Sequence, residues 1–290
     1  MTLASTFVAP FVDYGFMRRA LVACLALALG SAPVGVLLML RRMSLVGDAM
    51  SHAILPGAAV GFLIAGGLSL PAMGLGGLVA GLSIALLSGL ISRTTPLRED
   101  ASFASFYLTS LALGVLIVSL RGSNIDLLHV LFGTNLAIDA KALCLVGAIA
   151  SLTIVVLAVV YRPLVAECFD PGFVRAVGGH GSLFHFLFLL LVVINLVASF
   201  EALGTLMAVG LMMLPAAVAR LWAQTLPAMF AVAAITAAVS GYLGLVASFH
   251  FAVASGPTII LTASGLYLAS LVIGPSGLAR RFFSRPHLKA

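Results

Sequence analysis

The sequence predicts an all-α, polytopic integral membrane protein, a helix bundle of about nine spans within a range of eight to ten. Three observations predict it. Residues are 62% hydrophobic and only 8% charged, against roughly 25% charged in ordinary globular domains. The mean hydropathy is +1.22, more apolar surface than a soluble core absorbs. The apolar residues also fall in continuous runs, each long enough for a helix of about 20 residues to cross hydrocarbon. A transmembrane barrel would show short alternating segments instead. The whole chain, residues 1–290, reads as a single transmembrane domain.

Residues 1–16 are moderately apolar and either lie at the interface or extend the first span. Span one is expected from Ala20 to Leu40, bounded by Arg18–Arg19 and Arg41–Arg42. Span two, Ser44 to Ala65, follows a tight Arg41–Arg42–Met43 turn. Within it Pro56 lacks a backbone donor and should kink the helix. Gly57 and Gly61 give that helix a small-residue face for close packing, and Gly77 and Gly81 do the same for span three, Pro71 to Ile91. The charged stretch Ser92–Asp100 follows, with Asp100 as the expected N-cap of span four, Ala101 to Leu120. The next segment, RGSNIDLLHVLFGTNLAIDAK, is the longest polar interruption and has room for a short interfacial helix.

Span five is expected from Ala142 to Tyr161. In the loop Arg162–Gly181, Asp170 and Pro171 read as an N-cap with proline at the first helical position. Phe173, Val174 and Val177 then form an apolar stripe that Gly178–Gly179 ends. This is a short amphipathic helix outside the bilayer, near residues 168–180. Spans six to nine follow at Leu183–Phe200, Leu203–Ala219, Pro227–Ala247 and Pro257–Ile273. Leu55–Pro56 in span two and Leu214–Pro215 in span seven are too slight a match to define an internal repeat.

The net charge of +6 does not indicate nucleic acid, because most Lys and Arg punctuate span ends. With the C-terminus in the cytoplasm, that side collects Arg41, Arg42, Arg93, Arg98, Arg162, Arg175, Arg220, Arg280, Arg281, Arg285 and Lys289. The other side holds Arg18, Arg19, Arg121 and Lys141. The asymmetry favours nine spans with the N-terminus outside. The first apolar run has no charged segment before it and does not read as a cleaved signal peptide. Cys24, Cys144 and Cys168 are scattered, form no metal-binding pair and are expected to act as small apolar residues.

Asp48 and His52 are the residues that need a reason. They lie four apart in an apolar span, so they share one helix face. Ionisable groups inside hydrocarbon are costly and mark ion pathways, although a mutually satisfied structural pair is the bland reading. A carboxylate and an imidazole suit Zn²⁺, Mn²⁺ or Fe²⁺. One chain supplies two ligands, and a two-fold dimer would supply an N2O2 set on its axis. The simple topology puts Asp48 barely a turn from Arg41–Arg42, shallow for a gated site. Ser44 and Ser51 lie near the same face and would orient the ligands, unless they bond their own backbone.

Glu201, between spans six and seven, and His250, at the presumed outer end of span eight, are weaker candidates for guiding cations. A helix-start hydrogen bond and a solvated loop histidine are their blander readings. His129, His180, His185 and His287 receive no role. No H-E-x-x-H, G-x-S-x-G or G-x-x-x-x-G-K-[ST] motif occurs, so a nucleotide-driven motor would be another subunit.

Several motifs resemble one family. LRRMSLVGDAMSHAILPGAAVGF (Leu40–Phe62) and GTLMAVGLMMLPAAVAR (Gly204–Arg220) are similar to signatures of the membrane permeases of zinc, manganese and iron ABC importers. FDPGFVRAVG (Phe169–Gly178), LREDASF (Leu97–Phe103) and LFGTN (Leu131–Asn135) resemble further segments of that family. The resemblance implies a homodimeric permease in the bacterial inner membrane, with two cytoplasmic ATPase subunits and an extracytoplasmic metal-binding protein. It implies that Asp48 and His52 are pathway ligands for a transported divalent metal, with no permanently bound cofactor. It also implies that Asp170, Pro171, Phe173, Val174 and Val177 form the ATPase-coupling segment. The chain departs from the family pattern at Ala252, Ala254 and Ala104, where Asp, Pro and Gly are common.

Two other classes remain. A stand-alone carrier coupled to protons or sodium would use the same pair and work without an ATPase. An intramembrane metal hydrolase would need a third ligand or a general-base motif, and one chain offers neither.

Overall fold

Glycine and proline decide how closely these helices approach and where they bend. The computed structural model describes residues 7–66, 69–97, 99–120, 138–176, 179 and 181–277, and the described residues are helical with short connections. The helices are α1 (Ala9–Asp13), α2 (Gly15–Leu40), α3 (Ser44–Ala53), α4 (Leu55–Ala65), α5 (Leu70–Thr94), α6 (Glu99–Leu120) and α7 (Ala140–Val159). Then come α8 (Tyr161–Phe169), α9 (Pro171–Ala176), α10 (Gly181–Leu203), α11 (Thr205–Trp222), α12 (Leu226–Phe251) and α13 (Ser255–Ile273). Eight segments are long and apolar enough to span a membrane, α3 and α4 counting together, and Met207–Trp222 in α11 is a shorter apolar helix. The nine expected spans are therefore all present as helices.

The central helix is α2, buried along its length from Met17 to Leu38. It starts five residues before the expected Ala20, so Arg18 and Arg19 lie in its first turns rather than ahead of it. On one side it packs on α7, α11 and α12, and α13 completes that half. On the other side α3, α4, α5 and α6 group together, with α10 joining the halves through buried Phe188 to Ala198. Near the N-terminus, α1 is held by Phe11 stacked on Tyr242 at 5.3 Å and by Tyr242, whose hydroxyl donates to the Phe7 carbonyl.

Small residues set the closest contacts. A Cβ on Gly57 would strike the Gly76 carbonyl, and one on Gly76 would strike Gly57 in return. Gly61 lies against the Ala72 carbonyl in the same way. The Gly57/Gly61 face thus joins α4 to α5, as its spacing predicts. Gly77 and Gly81 serve a different purpose, accepting the Ile54 side chain at 2.5 and 3.3 Å from their virtual Cβ positions. Gly35 does for α2 and α11 what Gly57 does for α4 and α5, against the Met212 carbonyl.

Helix ends follow their local chemistry with three differences from expectation. Asp100 falls inside the first turn of α6, which begins at Glu99; there its charge still favours the helix N-terminus. The chain after span five starts a new helix at Tyr161, so α8 replaces the expected start of a loop. Its Pro163 sits in the first turn, where a missing N–H costs nothing. Spans six and seven meet at a single residue, Gly204, with φ +90°. Asp170 does cap α9, its Oδ1 accepting from the Phe173 N–H at 2.9 Å.

The turn after α2 closes tightly. The Met43 N–H reaches the Leu38 carbonyl at 2.9 Å, and the Arg42 N–H reaches the Met39 carbonyl at 3.1 Å. Arg42 takes φ +60°, the left-handed position that glycine usually fills in this motif. Buried Met43 supplies the accompanying apolar contact.

Replacing Gly57 with leucine is expected to destabilise the detergent-solubilised protein by roughly 1–3 kcal/mol, read as a lower melting temperature. Ile64→Leu, at an outward position of the same helix, should leave the melting temperature unchanged.

Candidate functional site

Helix α3 directs one face inward and the other outward. Val46 and Met50 are buried one turn apart, while Leu45 and Asp48 are exposed and His52 is half-buried. Gly47 brings α3 close to α11, since a Cβ there would lie 2.6 Å from Met213 Cε. The helix begins at Ser44, where the sequence put it, and it packs on α11 and α10. The inner face of α3 is therefore held in the bundle, while the Asp48 side chain stays exposed on the other face.

The carboxylate and the imidazole point the same way. Asp48 Oδ1 lies 3.8 Å from His52 Nε2, with side-chain exposures of 59% and 30%. That gap is too wide for a hydrogen bond. It is close enough for one ion, at about 2.1 Å from each atom, to touch both. His52 Nδ1 is buried without a hydrogen-bond partner among the described residues. The Tyr107 ring of α6 lies 5.4 Å from the imidazole, tilted by 41°, and walls its other side. Among the described residues no third His, Cys, Asp or Glu joins the pair.

Just beyond His52 the helix breaks. Ile54 separates α3 from α4, and Pro56 sits in the first turn of α4. Proline has no N–H to offer the His52 carbonyl four residues back, and the neighbouring Ala53 carbonyl at the break is met from α6. Ser110 Oγ donates to the Ala53 carbonyl at 3.1 Å. One turn further along α6, a Cβ on Gly114 would meet the Pro56 ring at 3.1 Å. Phe103, Tyr107, Ser110 and Gly114 recur at helical spacing, so a single face of α6 supports the break and the His52 ring together. Sequence reasoning missed this face, although its spacing was there to be read.

The other predicted residues fall in varied places. Ser51 is buried and its hydroxyl donates to the backbone carbonyl of Asp48 at 2.8 Å, not to the carboxylate. Ser44 is exposed as the first residue of α3. His250 is exposed in the last turn of α12, its ring edge-on to Phe249 at 5.5 Å. Glu201 lies in the last turn of α10. In the coupling segment Phe173 is exposed and Val174 half-buried, and Pro171 opens α9. Val177, the Leu131–Asn135 motif and most of the long polar interruption lie outside the described residues, as do His129, His180 and His287.

Two residues without an assigned role prove to be joined. Arg41, at the end of α2, places Nη1 2.8 Å from His185 Nδ1 and donates from Nε to Cys168 Sγ at 3.1 Å. Its guanidinium also lies 4.7 Å from the centre of the Phe188 ring. Arg41 is thus half-buried and fully engaged, unlike the exposed Arg42 beside it. Cys168 is not simply an apolar filler. Burial raises its thiol above the ordinary range, with Arg41 pulling it back down and Glu167 adding to the rise.

Known proteins match this chain along nearly its whole length. The ABC 3 transport family matches residues 13–274. The chain belongs to that family. A manganese transport system membrane protein, MntC, of Halalkalibacterium halodurans is 31% identical over 274 residues, 94% of this chain and 92% of the relative. The manganese import system permease protein ScaB of Streptococcus gordonii is 30% identical, covering 91% of this chain and 93% of the relative. The chelated iron transport system membrane protein YfeD of Yersinia pestis is also 30% identical, covering 91% and 86%. Among solved structures, PsaBC from Streptococcus pneumoniae in complex with Fab aligns with a TM-score of 0.83 at 28% identity, over 97% of this chain and 100% of that one.

Two of the alanines at which the sequence was expected to depart from the family pattern have a definite setting in this ABC 3 protein. Ala252 ends α12 at φ +51°, a left-handed position that Asp or Asn tolerates better than alanine. Ala104 is exposed on α6, a place where a methyl group needs no room from a neighbouring helix.

Ser110→Ala should cost about 1 kcal/mol by leaving the Ala53 carbonyl without its donor. Faster amide hydrogen exchange confined to residues around the α3–α4 break would register the loss. Unchanged exchange there would show that the break is supported by something else.

Proposed function

We propose that this chain is the membrane permease of an ATP-driven importer for a divalent metal, and that the ion passes between the Asp48/His52 pairs of two copies. The observation that carries the reading is the outward, incomplete pair. Asp48 is more than half exposed on an apolar, membrane-length helix, and a carboxylate left facing lipid costs about 3 kcal/mol on insertion scales. A second copy against this face would cover the carboxylate and add two further donors. Four N/O donors are a sufficient set for one first-row ion.

Membership of the ABC 3 family supports the transport class over a stand-alone ion-coupled carrier. The relatives named for manganese and for chelated iron make those two metals the first expected cargo. Zinc binds an N/O set more tightly than manganese does, so the choice among them rests on geometry and supply. Hydrolysis belongs to two separate cytoplasmic ATPase subunits, because this sequence carries no phosphate-binding loop. Asp170, Pro171, Phe173, Val174 and Val177 form the segment that meets them, and exposed Phe173 is the side chain best placed to enter a groove. An extracytoplasmic metal-binding protein delivers the ion. The permease lies in the bacterial inner membrane with its C-terminus in the cytoplasm and its N-terminus outside.

Each part of the pair has a distinct task in this mechanism. Asp48 supplies charge that offsets the dehydration of a divalent ion. His52, walled by Tyr107, supplies a nitrogen whose orientation is fixed. With two ligands from each chain the site opens by separating the copies, without breaking any helix. A pathway site has to release its ion as well as bind it.

Asp48→Ala and His52→Ala should each lower manganese accumulation in cells by at least about tenfold, since even changes outside the ligand shell cost that much. The ATPase should still co-purify with both variants. Normal accumulation in both would remove the pair from the pathway.

A further inference from the structure

The cluster around Arg41 lies where the proposed motor and the proposed metal site would have to communicate. Arg41 ends α2, and α3, with Asp48 and His52, starts three residues later. Its Nε donates to Cys168 Sγ at 3.1 Å, and Cys168 lies in the last turn of α8, two residues before the Asp170 cap of α9. Its Nη1 lies 2.8 Å from His185 Nδ1, and Phe188, one turn later on α10, receives the guanidinium face at 4.7 Å. Arginine has donors only, so His185 Nδ1 accepts and the ring proton sits on Nε2. One rigid planar group therefore ties three elements together.

The contacts are directional. A guanidinium fork that donates to two partners and stacks on a ring resists rotation in a way a lysine ammonium does not. His185 is buried and Cys168 partly so, which shields these contacts from water. The turn that Arg41 opens is short and closed by its own backbone bonds. Movement of Cys168 is thus passed to the start of α3 with little slack. An arginine needed only to face the cytoplasm would look like Arg42, which is exposed.

We propose that Arg41 is a positioning residue that couples the α8–α9 segment to the metal-carrying helix α3, through Cys168, His185 and Phe188. This rests on the reading of α9 as the ATPase-docking segment. When α9 is displaced, α8 carries Cys168 with it, the guanidinium follows, and the first turn of α3 shifts relative to α10. Asp48 and His52 then change their separation from the second copy.

The test uses the assembled transporter, permease with its ATPase and binding protein, in proteoliposomes with Mn²⁺ as the probe. Metal transported per ATP hydrolysed is measured together with the KM for metal-loaded binding protein. Arg41→Lys keeps the charge and loses the fork. It should lower metal per ATP by about fivefold or more, with ATP hydrolysis retained and KM unchanged. His185→Ala, which removes the acceptor together with the ring's packing on Phe186, should give the same signature more weakly. Arg42→Asn, which removes a neighbouring charge and suits the left-handed backbone, should leave the ratio unchanged. The proposal is overturned if Arg41→Lys and His185→Ala keep the wild-type ratio. It is also overturned if transport and hydrolysis fall together in proportion to assembled complex, which is what a purely structural role would give. Failure of the permease reading itself would look different: the wild-type assembly would move no metal with ATP.

Discussion

A carboxylate and an imidazole held on the outward face of an apolar helix set the terms for the rest of this protein. Hydrocarbon does not tolerate them uncovered, and the chain itself covers them only on one side. Tyr107 walls the His52 ring, while Asp48 stays more than half exposed. Much of the surrounding architecture holds α3 in this orientation. Gly47 lets it approach α11, Val46 and Met50 bury its inner face, and the tight turn at Arg42 fixes where it begins.

The break at Ile54 belongs to the same design. A continuous helix through Pro56 would clash and lose a hydrogen bond, so the chain divides, and Ser110 donates to the Ala53 carbonyl at the break. Ile54 itself is locked between Gly77 and Gly81. The pair therefore sits on a ten-residue segment that is supported at both ends. Its upstream end is the Arg41 cluster, its downstream end the Ser110–Gly114 face. Short, independently supported segments are a natural place for a transporter to put a site that must bind and then release.

Features written in local chemistry were legible in the sequence. Each of the nine spans was evident as an apolar run, the proline break followed from a missing N–H, and the Asp170–Pro171 cap followed from the two residues themselves. The Asp48/His52 pair stood out because its cost is independent of the fold. What could not be read depends on distance or on exceptions. Arg41 meets partners 127 and 144 residues away, and nothing in their spacing links them. Arg42 adopts a backbone that sequence marks with glycine, and no glycine is there. In the sequence α8 reads as the end of a span and the start of a loop, because Pro163 looks like a breaker unless it falls in a first turn. For Ser51 the sequence left two readings, and the bond to its own backbone is the one found.

The central claim is that the metal site is half-built in one chain and completed by a second. Counting bound Mn²⁺ in the purified permease, with oligomeric state measured on the same sample, tests it most directly. One ion for every two chains, present in dimers and absent both from monomers and from Asp48→Ala dimers, is the predicted result. One ion per chain, or binding that persists in monomers, would contradict it.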